Sequence, residues 1–203
     1  MISITASALS KRFGYQWIVD DFQYVFDQNT VYGIAGSNGS GKSTLVKIIS
    51  GYLTPSSGKI SYLIDGLNVK SEAIYKLISL VGPYTDMINE YTLEEMFVFH
   101  KKFKPFSQSI EFDEFEKIIR LQGQRTKLLQ HFSSGMRQKI QLALALLSDT
   151  PVLLMDEPTS FLDKNAKIWF KDLLDKSKSE RVVIIASNDQ FDLELCDEVV
   201  SLD

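Results

Sequence analysis

The stretch Val31-Tyr32-Gly33-Ile34-Ala35-Gly36-Ser37-Asn38-Gly39-Ser40-Gly41-Lys42-Ser43-Thr44 decides how this chain folds. A short apolar run leads into a loop of the form G-x-x-x-x-G-K-[ST]. Leu45, Ile48 and Ile49 then recur at helical spacing, and Gly51 supplies a stop. Strand, loop and helix in that order make a phosphate cradle. The glycines let the backbone wrap closely around phosphate oxygens, and successive N–H groups and the helix N-terminus face the anion. Lys42 adds a mobile positive charge at the terminal phosphates, and the Ser43 hydroxyl suits a Mg²⁺ ion.

A second stretch complements the first. Val152-Leu153-Leu154-Met155 is apolar and ends in Asp156-Glu157-Pro158-Thr159. A buried strand delivers both acids to its C-terminal edge, where open α/β sheets bind ligands. Adjacent acids on a strand point apart and can divide the work. Asp156 suits the Mg²⁺ shell, directly or through water, and Glu157 suits polarising an attacking water.

Working outward, apolar runs predict further strands at Lys59–Ile64 and Val182–Ser187, with weaker candidates at Ile2–Leu9, Asp21–Phe26, Ser79–Val81 and Val199–Leu202. Helical patterns lie between several of them, which argues for an α/β fold with a largely parallel sheet. From Pro83 to Ser148 the period turns helical. Thr92-Leu93-Glu94-Glu95 has the form of a capping box, and six phenylalanines fall between Phe97 and Phe115. This stretch reads as a helical subdomain inserted into the core. The phenylalanine cluster reads as its interior. Any exposed part of it would suit a groove for a helix of a membrane partner. His100, beside Lys101 and Lys102, reads as part of a solvated face, and Cys196 as a buried structural thiol.

The 203 residues are 44% hydrophobic and 24% charged, enough for a core without covalent staples. The net charge of −4 argues against broad nucleic-acid binding. A single cysteine excludes an internal disulfide and fits a reducing compartment. No stretch approaches the roughly 18 apolar residues of a membrane span, and Met1–Ser10 lacks the pattern of a signal peptide. The expectation is a cytoplasmic protein whose membrane role comes through a partner.

Phe132-Ser133-Ser134-Gly135-Met136, followed by an amphipathic helix, resembles the signature motif of ATP-binding-cassette (ABC) ATPases, usually Leu-Ser-Gly-Gly-Gln. Ser160-Phe161-Leu162-Asp163 resembles the D-loop of that family, and Pro55-Ser56-Ser57-Gly58 the turn after its phosphate-loop helix. The resemblance spans the whole chain in the correct order. It implies a P-loop NTPase core with a mainly parallel sheet, a small antiparallel β part and the inserted helical subdomain. Residues 1–82 and 150–203 would form the core of a single nucleotide-binding domain, and 83–149 the helical subdomain carrying the signature. It also implies ATP and Mg²⁺ as cofactors, ATP hydrolysis, and a head-to-tail dimer with a second cassette, identical or not. Ser133, Ser134, Gly135 and Met136 would then face the partner's nucleotide, with Asp163 in the D-loop. A separate membrane permease would follow the dimer's motion, holding the cassette at the inner face of the membrane. Phe13 aligns best with the family's adenine-stacking aromatic, with Tyr15 and Trp17 as near alternatives. The length resembles that of a minimal cassette.

Three departures stand against the family pattern. The switch histidine is replaced by Asn188 in Ala186-Ser187-Asn188-Asp189, a neutral donor without positive charge. No glutamine stands near Gly82-Pro83-Tyr84, where the family's Q-loop glutamine belongs, leaving Tyr84, Thr85 and Asp86 as substitutes. The signature is loosened at Ser134 and Met136. Together these predict slow hydrolysis or dependence on a partner. The other readings are a weakly hydrolysing regulatory cassette of a heterodimer and a soluble, non-transport ABC protein.

Overall fold

The computed structural model describes residues 1–202. The chain runs β1 (Ile2–Phe13), β2 (Gln16–Asp27), β3 (Thr30–Ala35), α1 (Lys42–Ile49), β4 (Ser57–Ile64), β5 (Leu67–Asn68), β6 (Ile78–Val81), α2 (Leu93–Phe103), α3 (Phe112–Ile119), α4 (Ser134–Leu147), β7 (Val152–Asp156), α5 (Lys164–Ser177), β8 (Val182–Ala186), α6 (Gln190–Leu193) and β9 (Glu198–Ser201), with short 3₁₀ segments at Ser71–Lys76 and Leu129–His131.

Two sheets organise these elements. β6-β7-β8-β3-β9 lie side by side and all parallel, and β2-β1-β4-β5 form an antiparallel sheet. The inner strands β7, β8 and β3 are buried on both faces, so they are near-continuous apolar runs rather than alternating, whereas the edge strand β9 is largely exposed. Alternate residues serve different cores. Val152, Leu154, Val182 and Ile184 pack with α1 and the antiparallel sheet. Leu153, Met155, Val183 and Ile185 pack with the helices between Leu93 and Leu174. Tyr24 and Phe26 of the antiparallel sheet meet Tyr32 of β3 edge-on, and Phe22 stacks beside them.

β1 and β2 run further than their apolar pattern, to Phe13 and from Gln16, because the ladder continues after the side chains have left the core. β5 was not legible from sequence: its two residues are exposed and contribute only two ladder pairs.

In the helical stretch, Thr92 caps α2 with the reciprocal Thr92–Glu95 pair expected from the sequence. Such a cap contributes about 1 kcal/mol. α4 begins three residues earlier than its apolar pattern, because Ser133 caps it by accepting from Met136 N–H. Phe97, Phe106, Phe112 and Phe115 are buried and pack ring against ring. Phe103 is 72% exposed, so the cluster is not wholly interior. His100 departs from the expected solvated face. Its Nε2 lies 2.8 Å from Ser148 Oγ, and that hydroxyl donates to Leu144 O. Burial, with the nearby Lys104 charge, pushes the imidazole down to about 4. His100 is therefore a neutral donor tying α2 to the end of α4.

No helix among the described residues is long and apolar enough to cross a membrane.

Candidate active site

The parallel register brings three strand ends to one place. Ala186 of β8 pairs with Ile34 of β3 on one side and with Asp156 of β7 on the other. Beyond the strands the convergence continues through backbone bonds: Glu157 N–H donates to Ala186 O at 2.8 Å and Ser187 N–H to Ile34 O at 3.1 Å. The phosphate loop, the Asp156-Glu157 pair and the Ser187-Asn188 turn thus share one edge.

The loop is built mainly by backbone. Gly41 opens α1 with φ 103°. A Cβ there would stand 2.6 Å from Ile18 O, so both the dihedral and the contact require glycine. No side chain caps α1, so its first N–H groups point into the loop. Lys42 is buried, and its Nζ donates to Gly36 O at 2.7 Å and Ser37 O at 3.0 Å. Glu157 Oε1 is 4.0 Å from the same nitrogen. Lys42 is therefore held inside the curl of the loop by carbonyls that an incoming phosphate oxygen can replace.

Asp156 is 1% exposed, and neither carboxylate oxygen has a donor at hydrogen-bond geometry. Burial raises its pKa. The neighbouring Glu157 charge adds to that rise, while the Ser43 and Tyr84 hydroxyls and Lys42 oppose it. A buried, unpartnered carboxylate is costly unless something binds it. The Ser40 hydroxyl of the phosphate loop is likewise buried with no partner at hydrogen-bond geometry. No cluster of three or more His, Cys, Asp or Glu suited to a metal occurs among the described residues. Mg²⁺ fits such a sparse set: it takes one or two protein ligands and completes its shell with water and substrate phosphates.

Glu157 adopts φ 52°, unusual for a residue with a side chain. Its Oε2 accepts from Ser187 Oγ at 3.0 Å, leaving Oε1 toward Lys42. Asn188 is exposed, and its Nδ2 donates to Asn38 Oδ1 at 2.9 Å, bridging to the phosphate loop.

Of the three residues standing where a Q-loop glutamine belongs, only one faces the acid pair. The Tyr84 hydroxyl is buried, has no partner at hydrogen-bond geometry, and has its pKa raised by burial and by the Asp156 charge. Its ring carries Lys47 Nζ at 3.9 Å. The Thr85 hydroxyl is consumed inside its own turn, bonded to Gly82 N and O, and Asp86 is exposed.

The signature residues lie elsewhere. Ser133, Ser134, Gly135 and Met136 border a cleft of about 440 Å³ with Phe161 and Asp163, and no phosphate-loop residue lines it. A Cβ on Gly135 would stand 2.8 Å from Phe161 O, so this glycine permits the close seat of α4 on the D-loop. Met136 packs partly against the core. Asp163 is the N-cap of α5, accepting from Ala166 N–H at 2.8 Å. Phe13 is 52% exposed at the open end of β1, close to exposed Tyr15 and Trp17.

Sequence reasoning passed over three residues of this neighbourhood. Gln138 is buried and donates to Pro158 O at 2.8 Å, tying α4 to the turn after β7. Ser187 and Asp192 form a buried pair behind Glu157 at 2.8 Å. Ser187 had a readable signal, since it follows an apolar parallel strand as Asp156 ends one. Asp192, an acid between Phe191 and Leu193, had only a weak one.

Known proteins are similar to this chain in sequence and fold. The family model described as ABC transporter matches residues 19–160. The Nod factor export ATP-binding protein I of Rhizobium sp. (strain N33) is 29% identical over 210 residues, covering all of this chain and 68% of that protein. A solved structure titled as the ATP-binding subunit of an ABC transporter superposes with a TM-score of 0.84 at 25% identity, over 98% of this chain and 85% of that one. A dimeric ATP-binding cassette in a post-hydrolysis state, bound to ADP and Pi, superposes with a TM-score of 0.77 at 20% identity, over 98% and 94%. With its P-loop fold, its complete phosphate loop and its Asp156-Glu157 edge, the chain belongs to the ABC transporter family as an ATP-binding cassette.

Proposed function

We propose that this cassette hydrolyses ATP as a dimer and so drives a separate membrane permease. The observation that carries the reading is the unpartnered, buried Asp156 beside the carbonyl-held Lys42, two opposite charges that a Mg-nucleotide would satisfy together. The loop amides from Gly36 to Thr44 and the α1 N-terminus bind the β- and γ-phosphates, and Lys42 exchanges its loop carbonyls for phosphate oxygen. Ser43 and Asp156 would hold Mg²⁺, which when bound neutralises charge on the terminal phosphates. Glu157 Oε1 accepts a proton from, and orients, the attacking water. Asn188 donates its amide to the γ-phosphate, and Tyr84 takes the Q-loop place. Phe13 stacks on adenine.

The separation of the signature cleft from the phosphate loop supports a shared site. Ser133 Oγ and the amides at the start of α4, through Ser134, Gly135 and Met136, would serve the nucleotide of a second cassette, with Asp163 at the same junction. The helical residues 83–149 act as a subdomain against the core of 1–82 and 150–203. A groove of about 380 Å³ lined by Met87, Met96, Phe99 and Phe103 offers an apolar seat for a permease segment, which would keep the protein on the cytoplasmic face of the membrane.

A weakly hydrolysing cassette paired with a competent partner is the second reading, favoured by Asn188, which cannot carry charge. Steady-state Mg-ATP hydrolysis against protein concentration separates the two. A rate rising faster than linearly, and falling about 10²–10³-fold in Glu157→Gln, supports a self-sufficient homodimer. ATP binding without hydrolysis rejects it in favour of the partnered form.

A further inference from the structure

Behind Glu157 lies a cluster whose hydrogen-bond count does not close with ionised acids. Ser187 is wholly buried, and its Oγ has three polar neighbours: Glu157 Oε2 at 3.0 Å, Asp192 Oδ2 at 2.8 Å and Asp189 N at 3.0 Å. A hydroxyl has one proton and two lone pairs. The Asp189 N–H occupies one lone pair. Two carboxylates then compete for a single proton, and the loser faces bare oxygen at bonding distance. The count closes when one acid brings its own proton and donates it to the second lone pair.

The surroundings decide which acid that is. Glu157 is partly open to solvent and lies 4.0 Å from Lys42, so its charge is supported. Asp192 is 0% exposed, and its Oδ1 has no partner at hydrogen-bond geometry. The groups around it come from four places. Thr159 approaches from the turn after β7, Glu157 through Ser187, Lys167 from α5, and Asp189 from the start of its own helix. Cys196 Sγ donates to the Asp192 carbonyl at 3.4 Å. The one cation among them, Lys167, is paired with Asp189.

We propose that Asp192 is a protonated positioning residue. Its Oδ2–H donates to Ser187 Oγ, Ser187 donates to Glu157 Oε2, and the second Glu157 oxygen is thereby aimed at the phosphate loop. Burial, the leading influence on Asp192, and the Asp189 charge both raise its pKa, against Ser187, Thr159 and Lys167. The inference rests on Glu157 being the water-orienting carboxylate. It adds what fixes that carboxylate and a reason for an alkaline limit: once Asp192 ionises, the Ser187 proton is shared and Glu157 loses its anchor.

Carboxyl-¹³C aspartate labelling reads the proton without turnover. The resonance lost in Asp192→Asn is expected at the neutral-acid position at pH 7, moving only at higher pH. An ionised Asp192 at pH 7 would overturn the proposal. For turnover, Ser187→Ala and Asp192→Ala should each lower kcat about tenfold with KM for ATP within about twofold. Asp192→Asn, which keeps an N–H donor that cannot ionise, should recover most of that loss and flatten the alkaline limb of the kcat profile. Equal losses in the Asn and Ala variants also overturn it. Absence of ATP hydrolysis in the wild type counts against the hydrolytic reading instead, and the carboxyl resonance still decides where the proton sits.

Discussion

The two sides of the nucleotide edge are made in different ways. The phosphate-loop side is made of backbone: α1 amides without a side-chain cap, and a glycine at φ 103° pressed against Ile18 O. The opposite side, from Tyr84 through Asp156 and Glu157 to Asn188, is made of side chains. Every position of the loop fits the family pattern, whereas two positions opposite it, 84 and 188, do not. A backbone cradle tolerates few sequences, since its geometry depends on φ and on close approach. A side chain need only deliver a donor or an acceptor to a point, and several residues can do that. The sharpest break of this contrast is Lys42→Ala, which removes the one side chain the cradle depends on. Charge-assisted hydrogen bonds contribute about 1.5–3 kcal/mol, so ATP affinity is expected to fall about 100-fold by equilibrium titration. A loss under about threefold would mean the backbone alone binds the phosphates.

Asn188 tests the other side. It already reaches the loop through Asn38, so the position is close enough to act. Asn188→His supplies a donor that also takes up a proton near neutral pH. An increase in kcat of about tenfold is expected, below the ~10²–10⁴-fold of a fully positioned acid–base group because Asn188 already supplies a neutral donor, with KM for ATP little changed. An unchanged kcat would place the limit elsewhere, in the dimer or in the permease.

How much of this was legible follows the same division. The strands β3, β7 and β8 were readable because both faces are buried, which leaves unbroken apolar runs. The phosphate loop and the Asp156-Glu157 pair were readable because fixed spacing carries their geometry. The His100 contact with Ser148 was not. A histidine between lysines reads as solvated, and only the fold brings a residue 48 positions away to within 2.8 Å. Ser187 and Asp192 escaped for a related reason. Their meaning lies in a proton count among two carboxylates, a hydroxyl and a backbone N–H, which no spacing rule encodes.

The smallest expected effect belongs to Tyr84, and it sharpens the contrast most finely. Tyr84→Phe keeps the ring beneath Lys47 and against Gly82 and removes only the hydroxyl near Asp156. If that hydroxyl stands in for the family's glutamine, it donates to the shell around the metal, and losing it should raise the Mg²⁺ concentration for half-maximal hydrolysis about fivefold, the worth of one neutral hydrogen bond. ATP affinity without Mg²⁺ should not move. The opposite result has its own signature. An unpartnered buried hydroxyl that serves nothing is a cost, so its removal would raise the melting temperature while leaving the Mg²⁺ requirement where it was. Tyr84→Gln then completes the test. Recovery of the wild-type Mg²⁺ requirement by glutamine, but not by phenylalanine, would show that this side of the edge conserves a donor's location rather than a residue.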